Sequence, residues 1–223
     1  MPPKPPARPL KRRLSIRFAK LMRWLHIYLS MFSLGVVLFF SVTGITLNHP
    51  DWFFSEALSQ REAEGEIKST WLRPKSPTPA ATDAGAGNDP DRQVSKLEIV
   101  EHMRTAHSIH GALADFRVDD GECVVSFKGP GYAADAFIDR ESGHYRLTET
   151  YHGFIAVIND LHKGRDTGPV WSVLIDVSAV LMTFISLTGL VLLFYLKLRR
   201  IPGVIVALAG AVLAIVLYRL GVP

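Results

Sequence analysis

Residues Trp24–Phe54 read WLHIYLSMFSLGVVLFFSVTGITLNHPDWFF. From Trp24 to Leu47 the only side chain that titrates near neutrality is His26. Twenty-four residues at about 1.5 Å each make a helix of roughly 36 Å. That exceeds the ~30 Å hydrocarbon thickness of a bilayer, so the stretch is long enough to span with some tilt. Eight basic residues and no acidic one precede it: Lys4, Arg8, Lys11, Arg12, Arg13, Arg17, Lys20 and Arg23. The positive-inside rule then puts the N-terminus in the cytoplasm and Asn48-His49-Pro50 on the far side.

The polar residues of this span fall on one stripe. His26, Ser30, Ser33, Ser41, Gly44 and Asn48 stand at offsets 0, 4, 7, 15, 18 and 22, with Val37 completing the row. Small and polar side chains on one face let membrane helices approach closely, which reads as a packing seam. An ionisable group such as His26 inside a membrane faces a partner, a cofactor or water.

The net charge of +4 conceals an asymmetry. Residues 51–176 hold all 21 acidic groups and 13 basic ones, a balance of −8, whereas the first 23 residues carry +8. A basic tail at an anionic cytoplasmic leaflet and an acidic region across the membrane fit that split, and no nucleic-acid partner is called for. The single cysteine, Cys123, excludes an intramolecular disulfide and reads as a small buried hydrophobe in the run Cys123–Phe127. The first hydrophobic run is too long for a cleaved signal peptide and lacks an A-x-A site, so it reads as an uncleaved signal anchor. Hydrolase and nucleotide-binding motifs (G-x-S-x-G, H-E-x-x-H, phosphate loops) do not occur.

The chain divides as follows. Residues 1–23 form a basic cytoplasmic tail, proline-rich over 1–9 and amphipathic from Leu10, where Leu10, Leu14, Phe18, Leu21 and Leu25 recur between basic residues. The first span covers 24–47, and 48–69 is an outer interface segment with Trp52-Phe53-Phe54 at headgroup level. Residues 70–94, rich in Pro, Ala, Gly and Asp, form a flexible linker. A small soluble unit occupies 95–166. Ser95 caps a helix with Leu97, Ile99, Val100 and Met103 on its apolar face, and Gly111 ends it. Strands are expected at 112–118, 123–128, 133–139 and 144–150, separated by turn signals, with a helix over 152–163. A second span covers 170–196, and Lys197, Arg199 and Arg200 put its far end in the cytoplasm. Pro202-Gly203 turns the chain into a third apolar segment, 203–220, which crosses again or forms a re-entrant hairpin. The expected fold class is therefore a three-helix membrane protein with a small extracytoplasmic α+β domain.

One element recurs between the long spans. Ser41-Val42-Thr43-Gly44 in the first matches Ser186-Leu187-Thr188-Gly189 in the second, a device for close helix approach. The second span also has a polar row, Ser172, Asp176, Thr183 and Ser186, with Ala179 between. Asp176 lies about two turns inside the membrane, so it is protonated, paired or wet.

Leu25-His26 opening a span that ends in S-V-T-G and N-H-P-D-W-F, and Leu161-His162-Lys163-Gly164-Arg165 before the second span, resemble the PepSY-associated transmembrane proteins. The outer α+β unit resembles a PepSY domain, and the resemblance runs through almost all of the chain after residue 20. It implies a bacterial inner-membrane protein with a periplasmic domain. In larger relatives such histidines are associated with haem b, and some of those proteins serve electron transfer, including ferric-siderophore reduction in iron uptake. This chain has three spans, fewer than those relatives. The resemblance implies a haem-b-dependent electron-transfer subunit with a periplasmic or membrane redox partner and an optional homodimer. The alternative is a membrane-tethered interaction module without enzymatic activity.

A six-coordinate haem needs two axial nitrogens on opposite faces. His26 and His49 are 23 residues apart, roughly 35 Å along a straight helix, and cannot share one iron. His49 with His162 is the expected pair, His152 is a substitute for either, and His26 needs a ligand from a second protomer or has a structural role. Leu47, Trp52 and Phe53 are candidate apolar walls, and Lys163 and Arg165 candidate partners of the propionates. His102, His107 and His110 lack a carboxylate or cysteine to complete a metal set, so no metal site is assigned.

Overall fold

The computed structural model describes residues 10–53, 59–72 and 94–222. The tail over 1–9, Phe54 and linker residues 73–93 lie outside them. Two compact units are present: the chain through Phe39 together with the chain from Leu174 onward, and Phe40–Val173.

In the first unit the amphipathic stretch and the first span form one uninterrupted helix, α1 (Leu10–Asn48), of which residues up to Phe39 belong here. No proline interrupts it, which is why it need not kink. The second span is α5 (Gly168–Tyr195) and the third is α6 (Arg200–Gly221). All three are long and apolar enough to cross a membrane, and α6, at 22 residues or about 33 Å, has full spanning length. Phe18 meets Tyr195 with ring centroids 6.3 Å apart, and further along α1 His26 meets Ile185, so α1 and α5 run antiparallel. Ser33 and Ser178 are buried on the facing sides, each seven residues from that meeting point. Their hydroxyls bond back to the carbonyls of Leu29 and Leu174, so neither helix buries an unpaired donor.

The stripe read from the sequence holds through His26, Ser30, Ser33 and Val37, all at least half-buried, but Ser41 and Asn48 are exposed. In the second unit the end of α1 instead buries Thr43 and Thr46. The turn after the second span comes at residues 196–199, earlier than Pro202-Gly203. Pro202 is the third residue of α6, where a missing N–H costs no helical bond. Gly203 has no Cβ because the side chain of Leu193 fills that space.

The second unit is a five-stranded antiparallel sheet in the order β1-β5-β4-β3-β2. Strands β2 (Ala112–Val118), β3 (Glu122–Gly129), β4 (Tyr132–Asp139) and β5 (His144–Tyr151) fall where alternation and turn residues predict them. A fifth strand, β1 (Ser59–Glu66), pairs with β5 from Ser59↔Tyr151 to Glu66↔His144. It lies in the 48–69 stretch read as an interface segment. The four-residue helix α2 (Ser69–Leu72) follows it.

Helix α3 (Lys96–His107) covers one sheet face with Ile99, Val100 and Met103, against Phe116, Val125, Phe127, Ala136, Ile138 and Leu147. Leu97 points outward at 69% exposure, because it lies off the buried i, i+1, i+4 arc. Ser95 stands at the N-cap without a side-chain bond, its carbonyl receiving the N–H of Ile99. The helix ends at Ser108, in the left-handed region at φ 55°, three residues before Gly111. Gly111 serves the sheet instead, since a Cβ there would stand 3.0 Å from the backbone nitrogen of Lys128. Helix α4 (Phe154–Lys163) then leads to α5.

Candidate functional site

The two L-H elements occupy equivalent positions in their separate units. In the helical unit His26 Nδ1 lies 3.1 Å from the carbonyl of Ile185 and 3.0 Å from Thr188 Oγ1. A carbonyl can only accept, so Nδ1 carries a proton and Nε2 is the ring nitrogen left over. The single hydrogen of Thr188 Oγ1 is shared between the carbonyls of Phe184 and Ile185, at 2.8 and 2.9 Å, so toward His26 the oxygen acts as an acceptor. The ring sits over Gly189, where a Cβ would stand 3.1 Å from its Cε1. The Thr-Gly step thus accepts a hydrogen bond and clears room for an imidazole.

In the other unit His162 repeats the arrangement on the first Thr-Gly step. Its Nδ1 is 2.7 Å from Thr43 Oγ1, its Cε1 is 3.6 Å from the Cβ position of Gly44, and Phe40 meets it edge-on at 5.2 Å. Thr46 donates to Asn159 Oδ1 at 2.8 Å, one turn along both α1 and α4. The L-H-x-G-R spacing has a local cause. Gly164 ends α4 at φ 68°, and its N–H and that of Arg165 return to carbonyls of the last turn. That cap places His162 in the final turn, on the side of Asn159.

The four sequence-selected histidines take separate partners. His49 stacks on Trp52 at 3.9 Å and 6°, with Asn48 Nδ2 3.2 Å from its Nε2. His152 donates its backbone N–H to Gly131 and lines a small recess with Asp160 and Arg165. His162 lies on Thr43 and His26 on Ile185 and Thr188, as above. Of the candidate propionate partners, Arg165 pairs with Asp160 at 3.8 Å and Lys163 is exposed. Trp52 is largely exposed beside His49. The Thr43–His162 and Thr188–His26 links were beyond sequence reasoning, although the repeated S-x-T-G was their signal.

An axial haem ligand needs Nδ1 engaged by an acceptor and Nε2 free to bind iron. His26 meets that condition, and His162 meets it in the tautomer that donates to Thr43. The donor chemistry therefore fits the group that the resemblance implies.

The sheet domain has its own polar cluster. Glu149, 2% exposed, accepts from Tyr132 at 2.8 Å and Tyr151 at 3.2 Å, with Arg61 3.9 Å away. Burial and the neighbouring carboxylate push the Tyr132 phenol up, so it stays a donor. Tyr132 and Tyr151 also line a cleft of about 400 Å³ with His110, Gly111 and Pro130. His107 Nε2 is 2.8 Å from the Tyr145 hydroxyl, and burial lowers the His107 pKa despite Glu149 nearby. His102 meets Tyr145 edge-on, and among the described residues no group of three histidines, cysteines or carboxylates could hold a metal ion.

Neither a curated protein nor a solved structure matches the chain. A family model does, over residues 20–223, which takes in both L-H elements, both Thr-Gly steps and the whole sheet domain. Three membrane-spanning helices with an α+β unit between the first two agree with it, and the chain belongs to the PepSY_TM-like family.

Proposed function

We propose that the protein is a bacterial inner-membrane electron-transfer subunit that holds b-type haem through its span-associated histidines. The observation that carries this reading is the repeated clasp, in which a Thr-Gly step engages Nδ1 of His26 and of His162 and leaves Nε2 as the remaining ring nitrogen. His162 and His26 would hold the haem groups through Nε2, whereas His49, whose Nε2 meets Asn48 Nδ2, would have to release that contact to join His162. The haem, when bound, passes single electrons between ferrous and ferric iron. The residues orient the imidazoles, and the apolar spans keep water from them. Transfer to a periplasmic or membrane partner, and a link to ferric-siderophore reduction, follow from the same reading. Basic residues at the start of α1 and at 197–200 orient the N-terminus to the cytoplasm and the sheet domain to the periplasm.

The test is an absorption spectrum of the detergent-purified protein from haem-replete cells, with His26→Ala, His49→Ala and His162→Ala beside it. A low-spin b-type spectrum in the parent, reduced in His162→Ala, is expected. Protein without a Soret band, in cells and after hemin titration, overturns the haem assignment. A membrane-tethered interaction module would then be favoured by the Tyr132–Tyr151 cleft.

A further inference from the structure

Helix α5 has a second polar face that meets no other element among the described residues. Ser178, Thr188 and Gly189 turn toward α1, whereas Asp176, Ala179, Thr183 and Ser186 lie exposed on roughly the opposite side. Thr183 and Ser186 satisfy their hydroxyls on the carbonyls of Ala179 and Met182, both at 2.9 Å. Asp176 takes part in no ion pair or hydrogen bond among the described residues. It stands eight residues into α5, about 12 Å along the helix from its start. An acidic side chain on a spanning helix ordinarily faces a partner or water, and none is supplied to Asp176 by the described residues.

The chain itself carries the complementary group at the same level. Asp176 precedes the end of α5 at Tyr195 by nineteen residues, and Arg219 follows the start of α6 at Arg200 by nineteen. With both helices leaving the 196–199 turn across the bilayer, the two charges stand about 28 Å from it. They do not face each other within one chain. Gly203 is the position of α6 that meets Leu193 of α5, and Arg219, sixteen residues on, points about 160° away from it. Helix α6 is otherwise exposed along its length.

We propose that a second copy of the chain packs on this face of α5, Asp176 of each copy pairing with Arg219 of the other. A two-fold axis along the membrane normal keeps the depths matched and forms the pair twice. Thr183, Ala179 and Ser186 give α5 the small surface that lets a second helix approach. This assignment stands apart from haem binding.

The test uses the full-length chain in native membranes, with two differently tagged copies co-expressed, one Asp176→Cys and the other Arg219→Cys. Cys123 is buried and stays in place. A short bismaleimide should yield a product carrying both tags at twice the 24.7 kDa chain mass. No such product from folded protein overturns the proposal. So does a double variant whose two cysteines link only within one chain. Independently of any substitution, native mass spectrometry of the parent protein from lipid nanodiscs should show a dimer, and a monomer overturns it. Asp176→Arg and Arg219→Asp should each shift the population to monomer, and their combination should restore the dimer.

Discussion

The imidazole of His26 hydrogen-bonds the carbonyl of Ile185 at 3.1 Å, joining positions 159 residues apart. A carbonyl inside a helix already accepts from its own helix, so this bond is an addition. It ties the tautomer of His26 to the position of α5. His162 and Thr43 do the same work over 119 residues, which makes each Thr-Gly step a seat for an imidazole.

The two seats differ in tightness, and that difference is measurable. At Gly44 a Cβ would stand 3.6 Å from His162, in ordinary contact, and Ala gains up to about 1 kcal/mol of helix propensity over Gly. At Gly189 the distance is 3.1 Å to a ring held by two hydrogen-bond acceptors that cannot easily yield. Gly44→Ala should therefore raise the unfolding temperature in detergent, and Gly189→Ala should leave it unchanged or lower it. Equal gains for both would show that His26 moves freely.

Helix α4 docks on the β3–β4 turn through one backbone position. Gly131 adopts φ 65°, its N–H donates to Asp160 Oδ2 at 3.0 Å, and Val157 occupies the space of a Cβ. Gly131→Ala meets both backbone strain and a clash, at a cost of about 2 kcal/mol or more. Asp160→Asn keeps the shape and should cost less. Thermal unfolding followed by tryptophan fluorescence would rank the two, and parity would mean that α4 is not held there.

The strands and spans were legible from local pattern because period-2 alternation, turn glycines and long apolar runs each act over a few residues. Strand β1 was not. Ser59–Glu66 (SQREAEGE) has no apolar alternation and mostly exposed side chains, and the backbone ladder to β5 holds it in place. The histidine clasps were legible only as residue types, since their geometry depends on partners more than a hundred residues away. The polar row around Asp176 was visible in the sequence, but which face of α5 meets α1 depended on Ser178 and Thr188.

The sheet domain should weaken in mild acid. Burial holds the His107 pKa below its ordinary value, so the unfolded chain binds that proton first as pH falls. The stabilisation is fully present above the unfolded pKa of about 6.5 and is lost as pH falls below it through the folded value. His107→Gln should reduce the difference in unfolding temperature between pH 7.5 and pH 5.5. An unchanged difference would assign the acid sensitivity to the carboxylates.

The proposed periplasmic placement of the sheet domain predicts a labelling pattern. Gly121 is exposed at the tip of the β2–β3 turn with open space where a Cβ would go, so Gly121→Cys should react with an impermeant maleimide on intact spheroplasts. Cys123 is fully buried and its thiol pKa is raised by that burial, so the parent protein should label only after denaturation. Labelling of Gly121→Cys that requires lysis would reverse the orientation.

The ladder between β1 and β5 has a mechanical consequence. The chain enters the sheet at Ser59 and leaves it at Tyr151, and these two residues are partners at the same end of one antiparallel pair. A pull that draws the two entry points apart loads the ladder at its last rung and opens it one pair at a time toward Glu66 and His144. The inserted domain would therefore unzip under tension from its flanks, β1 peeling away first while β2 to β5 keep their register.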